Sequence, residues 1–129
     1  MANIKPVNEN LFDDIFAQTV EDMKGLGTYR QEFSPAITTY AEMRVQYQIL
    51  MEQFYSTGCK VAEEYTNKAG ATNIRKTALY LAIETLRKDI AGYENVLGLT
   101  PAGLEKIRKG SMKEKKSSKL AEALSNLGN

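Results

Sequence analysis

Apolar residues recur at three- and four-residue steps through most of the chain, and the places where that period breaks divide it into elements. From about Leu11 to Lys24, Phe12, Ile15, Phe16, Thr19, Val20 and Met23 fall on one face, which predicts a helix. Asn8 or Asn10 can cap it, Asp13 and Asp14 suit the positive end of its dipole, and Gly25 followed by Leu26 reads as a left-handed stop. A second helix starts at "FSPAI", with Ser34 as cap and Pro35 in the first position, where no donor is needed. Ile37, Tyr40, Tyr47, Leu50, Met51 and Phe54 give it a broad apolar stripe that ends near Gly58, after about 33 Å.

The period then changes. "CKVAEEYTNKAGAT" surrounds a turn-rich "NKAG" with β-branched and aromatic residues, which predicts a hairpin from Cys59 to Thr72. A third helix follows, capped by Thr72 or Asn73 and running to about Leu97, with Leu79, Ala82, Leu86, Ile90, Tyr93 and Leu97 on one stripe. Within it "ALYLAI", Ala78 to Ile83, is apolar all the way round, more than one antiparallel partner covers. Either the first helix or another subunit must meet the remainder, and Ile83 is taken as an outward member. Gly98 stops this helix, Thr100 caps the next, and Pro101 opens a short helix, "PAGLEKIRK", that ends at Gly110. Beyond it "SMKEKKSSK" has no apolar period and reads as a solvated linker, while "KLAEALSNL" aligns Leu120, Ala123, Leu124 and Leu127 into a helix that forms on docking. The fold class is therefore mainly α: two long antiparallel helices joined by a short β-hairpin, with an N-terminal and a short C-terminal helix. The divisions are 1–30 for the first helix and linker, 31–110 for the core, and 111–129 for a basic, flexible tail.

A chain of 129 residues suffices for one domain. No apolar run spans a bilayer, and "MANIKPVNENLFDDIF" lacks the basic-then-apolar order of a secretion signal, so a cytosolic protein without a membrane role is expected. Cys59 is the single cysteine and there is no histidine, which excludes an internal disulfide and makes metal, cofactor and triad chemistry improbable. The net charge of +1 conceals a gradient. Residues 1–30 sum to −2, residues 31–100 to −1, and residues 101–129, with seven basic and three acidic side chains, to +4. Such a C-terminus seeks polyanions.

The element order, with Tyr40 in the first long helix, Gly58 and Gly70 around the hairpin, Asn73 after it, and Leu97, Gly98, Leu99, Thr100 and Pro101 at the close, resembles the small terminase subunits of tailed bacteriophages. The likeness covers about residues 30–109; Ile74 stands where that family usually has Pro, and Leu104 where its closing motif has Arg. The resemblance implies a ring-forming, non-enzymatic subunit. It would bind the phage's double-stranded DNA in the cytoplasm of the infected host and present it to the large terminase subunit, which holds the ATPase and nuclease. The chain itself carries no phosphate-binding G-x-x-x-x-G-K-[ST] loop.

On that resemblance the DNA-contacting candidates are Lys106, Arg108, Lys109, Lys113, Lys115, Lys116 and Lys119, which neutralise phosphates without reading bases. Lys68, Arg75 and Lys76 form a second basic group, the last two set against the dipole of the third helix if they open it. The face that meets a neighbouring subunit is assigned to Leu79, Ile83, Leu86, Ile90 and Tyr93. The seven tyrosines are expected in core or interface rather than stacked on bases, and Cys59 as a small buried side chain. The adjacent acids Asp13 with Asp14 and Glu63 with Glu64 point apart, on a helix as on a strand, which does not favour acid and base chemistry. The alternative is a helical protein–protein adaptor without a DNA role. A transcription regulator is less suited, since no pair of short helices around a tight turn is evident to set a recognition helix.

Overall fold

A computed structural model of the chain describes residues 9–127, with the side chains of 113–115 and 117 outside that description. The order is α1 (Leu11–Leu26), one 3-10 turn (Gln31–Phe33), α2 (Ser34–Ser56), β1 (Ala62–Thr66), β2 (Thr72–Lys76), α3 (Ala78–Val96) and α4 (Pro101–Leu127). The mainly helical class, the antiparallel hairpin and the two flanking helices agree with the sequence pattern.

Asn10 takes the cap position of α1, its carbonyl accepting from the Asp14 amide at 2.9 Å, and Asp13 and Asp14 fill the first turn; the alternative cap, Asn8, lies outside the described residues. The helix does not stop at Gly25. It runs one half-turn further, and Gly27, at φ 76°, turns left-handed while the Thr28 amide reaches back to the Met23 carbonyl at 2.9 Å. Ser34 is likewise not a cap. The 3-10 turn already supplies a helical entry, so Phe33 holds the cap position and Pro35 sits in the first turn as its missing donor allows.

α2 and α3 lie antiparallel, as their side-chain meetings show. Phe54 packs on Tyr80 near the hairpin with ring centres 5.8 Å apart, and seven residues along each helix Arg87 Nε donates to the Tyr47 hydroxyl at 3.2 Å. α1 lies along α2. Met23, Ile37, Tyr40, Ile90 and Leu97 form the buried cluster between these helices, with Phe16, Val20, Met43, Leu86 and Tyr93 closing around it. Burial of the Tyr40 side chain, reinforced by the nearby Glu94 carboxylate, pushes its hydroxyl pKa up.

The hairpin begins and ends later than the sequence suggested. Its strands pair Ala62 with Lys76 through Thr66 with Thr72, so Asn73, Ile74, Arg75 and Lys76 are strand rather than helix. The cap of α3 is neither Thr72 nor Asn73 but Thr77, whose hydroxyl accepts from the Tyr80 amide at 3.1 Å. Cys59 is exposed, with φ 62°, because it completes the left-handed turn that Gly58 starts; its expected burial is overturned. Ile83 is also not outward: it is 0% exposed, one turn along α3 from Tyr80, whereas Leu81 in the same apolar run is 48% exposed.

The largest departure is at the C-terminus. The expected short helix, linker and docking segment form one helix of 27 residues, about 40 Å long. Beyond Gly110 the sequence has no proline or further glycine before Gly128 and is rich in Lys, Glu, Ala and Leu, all good helix formers. Intrinsic preference carries the helix where an apolar period is missing.

Candidate nucleic-acid interface

The corner between α3 and α4 fixes how the basic helix leaves the body. Gly98, at φ 73°, ends α3, and the Leu99 amide donates back to the Glu94 carbonyl at 2.8 Å. Thr100 then caps α4: its hydroxyl accepts from the Gly103 amide at 3.0 Å and donates to Asn95 Oδ1, while its carbonyl accepts from Leu104 N at 2.9 Å. Gly103 is buried, and a Cβ there would overlap the backbone of Asn95. The two helices thus touch backbone to backbone, with Leu104 and Ile107 half-buried against the corner. Leu104, standing where the resembling motif has Arg, serves packing.

From Arg108 onward every side chain described is exposed, so α4 projects beyond the corner. Lys106, Arg108, Lys109, Lys116 and Lys119 all face solvent; Lys113 and Lys115 belong to the same helix, their side chains outside the described residues. Steps of three and seven put Lys106, Lys109 and Lys116 along one line, and the step of eleven from Arg108 to Lys119 a second line. Lys109 pairs with Glu105 at 3.0 Å; both are more than half exposed, so water screens the pair and the lysine keeps its capacity for another anion. The helix therefore holds these charges in register, which a flexible tail does not.

The second basic group differs. Lys68 stands at the hairpin turn, but Arg75 lies 3.8 Å above the Tyr65 ring centre and 3.8 Å from Glu63, and Lys76 donates to both oxygens of Glu84 at 2.9 and 3.1 Å. The Glu84 hydrogen bond holds the Lys76 pKa above its ordinary value. Because Arg75 and Lys76 belong to β2, they do not oppose the dipole of α3, and the inference drawn from that opposition falls. The two groups are not brought together: the hairpin enters the N-terminal end of α3 and α4 leaves its C-terminal end, about 28 Å of helix apart.

Of the residues assigned to a subunit contact, Ile83 and Ile90 are buried inside the chain itself at 0% and 5% exposure, so neither presents surface to a neighbour. Leu79, Leu86 and Tyr93 are half-buried. The large apolar side chains of α3 left exposed are Val96 at its C-terminal end and Leu81, which lies at a shallow depression with Gln46, Leu50, Leu86 and Asp89. The sequence signal for Leu81 was the all-round apolar run; only the helix phase tells which member faces out.

Residues 13–114 match the model of the family described as phage terminase, small subunit. The chain belongs to that family. The match takes in α1 from Asp13 onward, the α2–hairpin–α3 unit, the corner and the first half of α4, including Lys106, Arg108, Lys109 and Lys113. No curated protein and no solved structure matches the chain. Family membership implies a role in phage DNA packaging. Among the described residues no helix is long and apolar enough to cross a membrane, and no group of His, Cys, Asp or Glu could hold a metal ion.

Proposed function

We propose that this small terminase subunit binds phage double-stranded DNA through the projecting basic helix α4. It works without enzymatic activity of its own, as a homo-oligomeric ring in the cytoplasm of the infected host, and hands the DNA to the large terminase subunit. The observation that carries the DNA reading is α4 itself: a solvent-exposed helix with lysines and arginine in two lines and few acids between them. A helix with this charge neutralises phosphates along a groove or backbone, and such contacts give affinity with little choice of sequence. Lys68 adds a free cation at the hairpin turn, whereas Arg75 and Lys76 have carboxylate partners that DNA would have to displace.

Native mass spectrometry with and without a duplex tests the whole reading. A ring of many subunits that retains DNA supports it. A monomer or dimer that ignores DNA favours the helical adaptor, for which the exposed Leu120, Leu124 and Leu127 at the end of α4 would be the contact.

A further inference from the structure

The hairpin is the element with least support from the rest of the chain. Four of the five residues of β1 and all five of β2 are exposed. A two-stranded sheet on its own is marginal in water, and both strands here are edges. The Asn67 amide donates to the Ala71 carbonyl at 3.0 Å and the Thr77 amide to the Val61 carbonyl at 2.9 Å, which sets the phase of the ladder. By the alternation of an antiparallel pair, Glu63, Tyr65, Asn73 and Arg75 turn their backbone groups toward the opposite strand. Ala62, Glu64 and Thr66 turn theirs to one outer edge, and Thr72, Ile74 and Lys76 to the other.

The two edges carry opposite charge. β1, AEEYT, has Glu63 and Glu64 and no base, whereas β2, TNIRK, has Arg75 and Lys76 and no acid. Joining like edges of two copies would set carboxylate beside carboxylate, or Arg and Lys beside their equals, and like charges on neighbouring strands destabilise a sheet. Joining β1 of one copy to β2 of the next alternates the signs. The Arg75 guanidinium sits 3.8 Å from the centre of the Tyr65 ring within its own hairpin, and Ile74, 78% exposed, gains cover from a strand laid beside it.

We infer that hairpins of successive copies join edge to edge, β1 of one on β2 of the next, into a continuous sheet. The partner is a second copy of this chain, recognised by backbone hydrogen bonds and by the acidic strand facing the basic one. Such a contact is head to tail, so it repeats from copy to copy and closes when the rotation permits. The inference rests on the ring reading above and names one of the contacts that would build it.

The test uses the full chain carrying Cys59→Ser, in one preparation with Glu64→Cys and in another with Ile74→Cys. Both positions are solvent-exposed, and residues 64 and 74 oppose each other without sharing ladder hydrogen bonds, so the hairpin tolerates either change. The two preparations are mixed, treated with a short bismaleimide, and mapped by peptide mass spectrometry beside native mass spectrometry of the same mixture. The expected result is a 64-to-74 cross-link between chains in the mixture, and no 64-to-64 or 74-to-74 cross-link above background in either preparation alone. An intact ring without the 64-to-74 product, or with like-edge products, overturns this inference and leaves the ring reading standing. A monomer without cross-links overturns both.

Discussion

Met23, Ile37 and Ile83 are at most 1% exposed, whereas Leu120, Leu124 and Leu127 are between 62% and 82% exposed, although all six occupy the apolar stripe of a helix. The first three lie in the three-helix body, the last three on the distal part of α4. In the body an apolar period finds a partner in the same chain, and each fully buried side chain contributes about 1.5–3 kcal/mol. On the arm the same kind of stripe finds none, and the helix persists through intrinsic preference and its anchored first turns. The body is therefore stable by packing and tolerant of surface change. The arm is stable locally and available to a ligand or partner.

Substitution within one turn of α3 breaks the comparison most strongly. Ile83→Asp places a charge where there is no water and should cost more than about 4 kcal/mol, abolishing the cooperative melt. Leu81→Asp, two residues away and half exposed, should leave the melting temperature nearly unchanged and weaken self-association in light scattering. Equal effects of the two would mean that the helix phase assigned here is wrong.

The corner comes next. Gly103→Ala drives a methyl into the Asn95 backbone and should cost roughly 1–3 kcal/mol, since overlap with main chain is not relieved by a rotamer change. The change should be measurable in a denaturant titration, with α4 losing its fixed exit from the body. A neutral Gly103→Ala would show that α4 is not seated against α3.

Two smaller changes of opposite sign sharpen the contrast. Thr100→Ala removes the side-chain cap on Gly103 N and should cost about 1 kcal/mol, with DNA affinity per folded molecule preserved. Gly110→Ala, at a position where an added Cβ meets nothing within 4 Å, should stabilise α4 by about 1 kcal/mol and raise its helical content. The melt of the body should not move. NMR chemical shifts of residues 105–120 report the second effect directly.

What could be read from sequence follows the same division. The body was legible because Met23, Ile37, Tyr40, Ile90 and Leu97 repeat at helical steps, and the corner because Gly98, Thr100 and Pro101 each have one good use at a helix boundary. The hairpin's end was misread because Thr72 and Asn73 are acceptable caps as well as strand residues; only the pairing with Thr66 and Tyr65 decides between them. Gly25 and Gly27 compete for one stop in the same way, and the chain uses the later glycine. The continuity of α4 was missed because its middle stretch, residues 111–119, has no apolar stripe and leaves no period to detect. The candidate site was legible as a set of residue types, since the lysines are plain in the sequence. Their rigid alignment on one helix was not, and neither was the pairing of Arg75 and Lys76 with Glu63 and Glu84.

The central claim, that α4 is the DNA-binding arm, is tested most directly by a salt titration of duplex affinity for the full chain and for a chain ending at Gly110. The truncation removes Lys113, Lys115, Lys116 and Lys119 and leaves the corner, Lys106, Arg108 and Lys109. The log–log dependence on salt should lose up to about four units of slope for each engaged arm, with weaker binding to packaging-site and unrelated duplex alike. An unchanged slope and affinity would contradict the account and move the DNA contact to Lys68 and the hairpin.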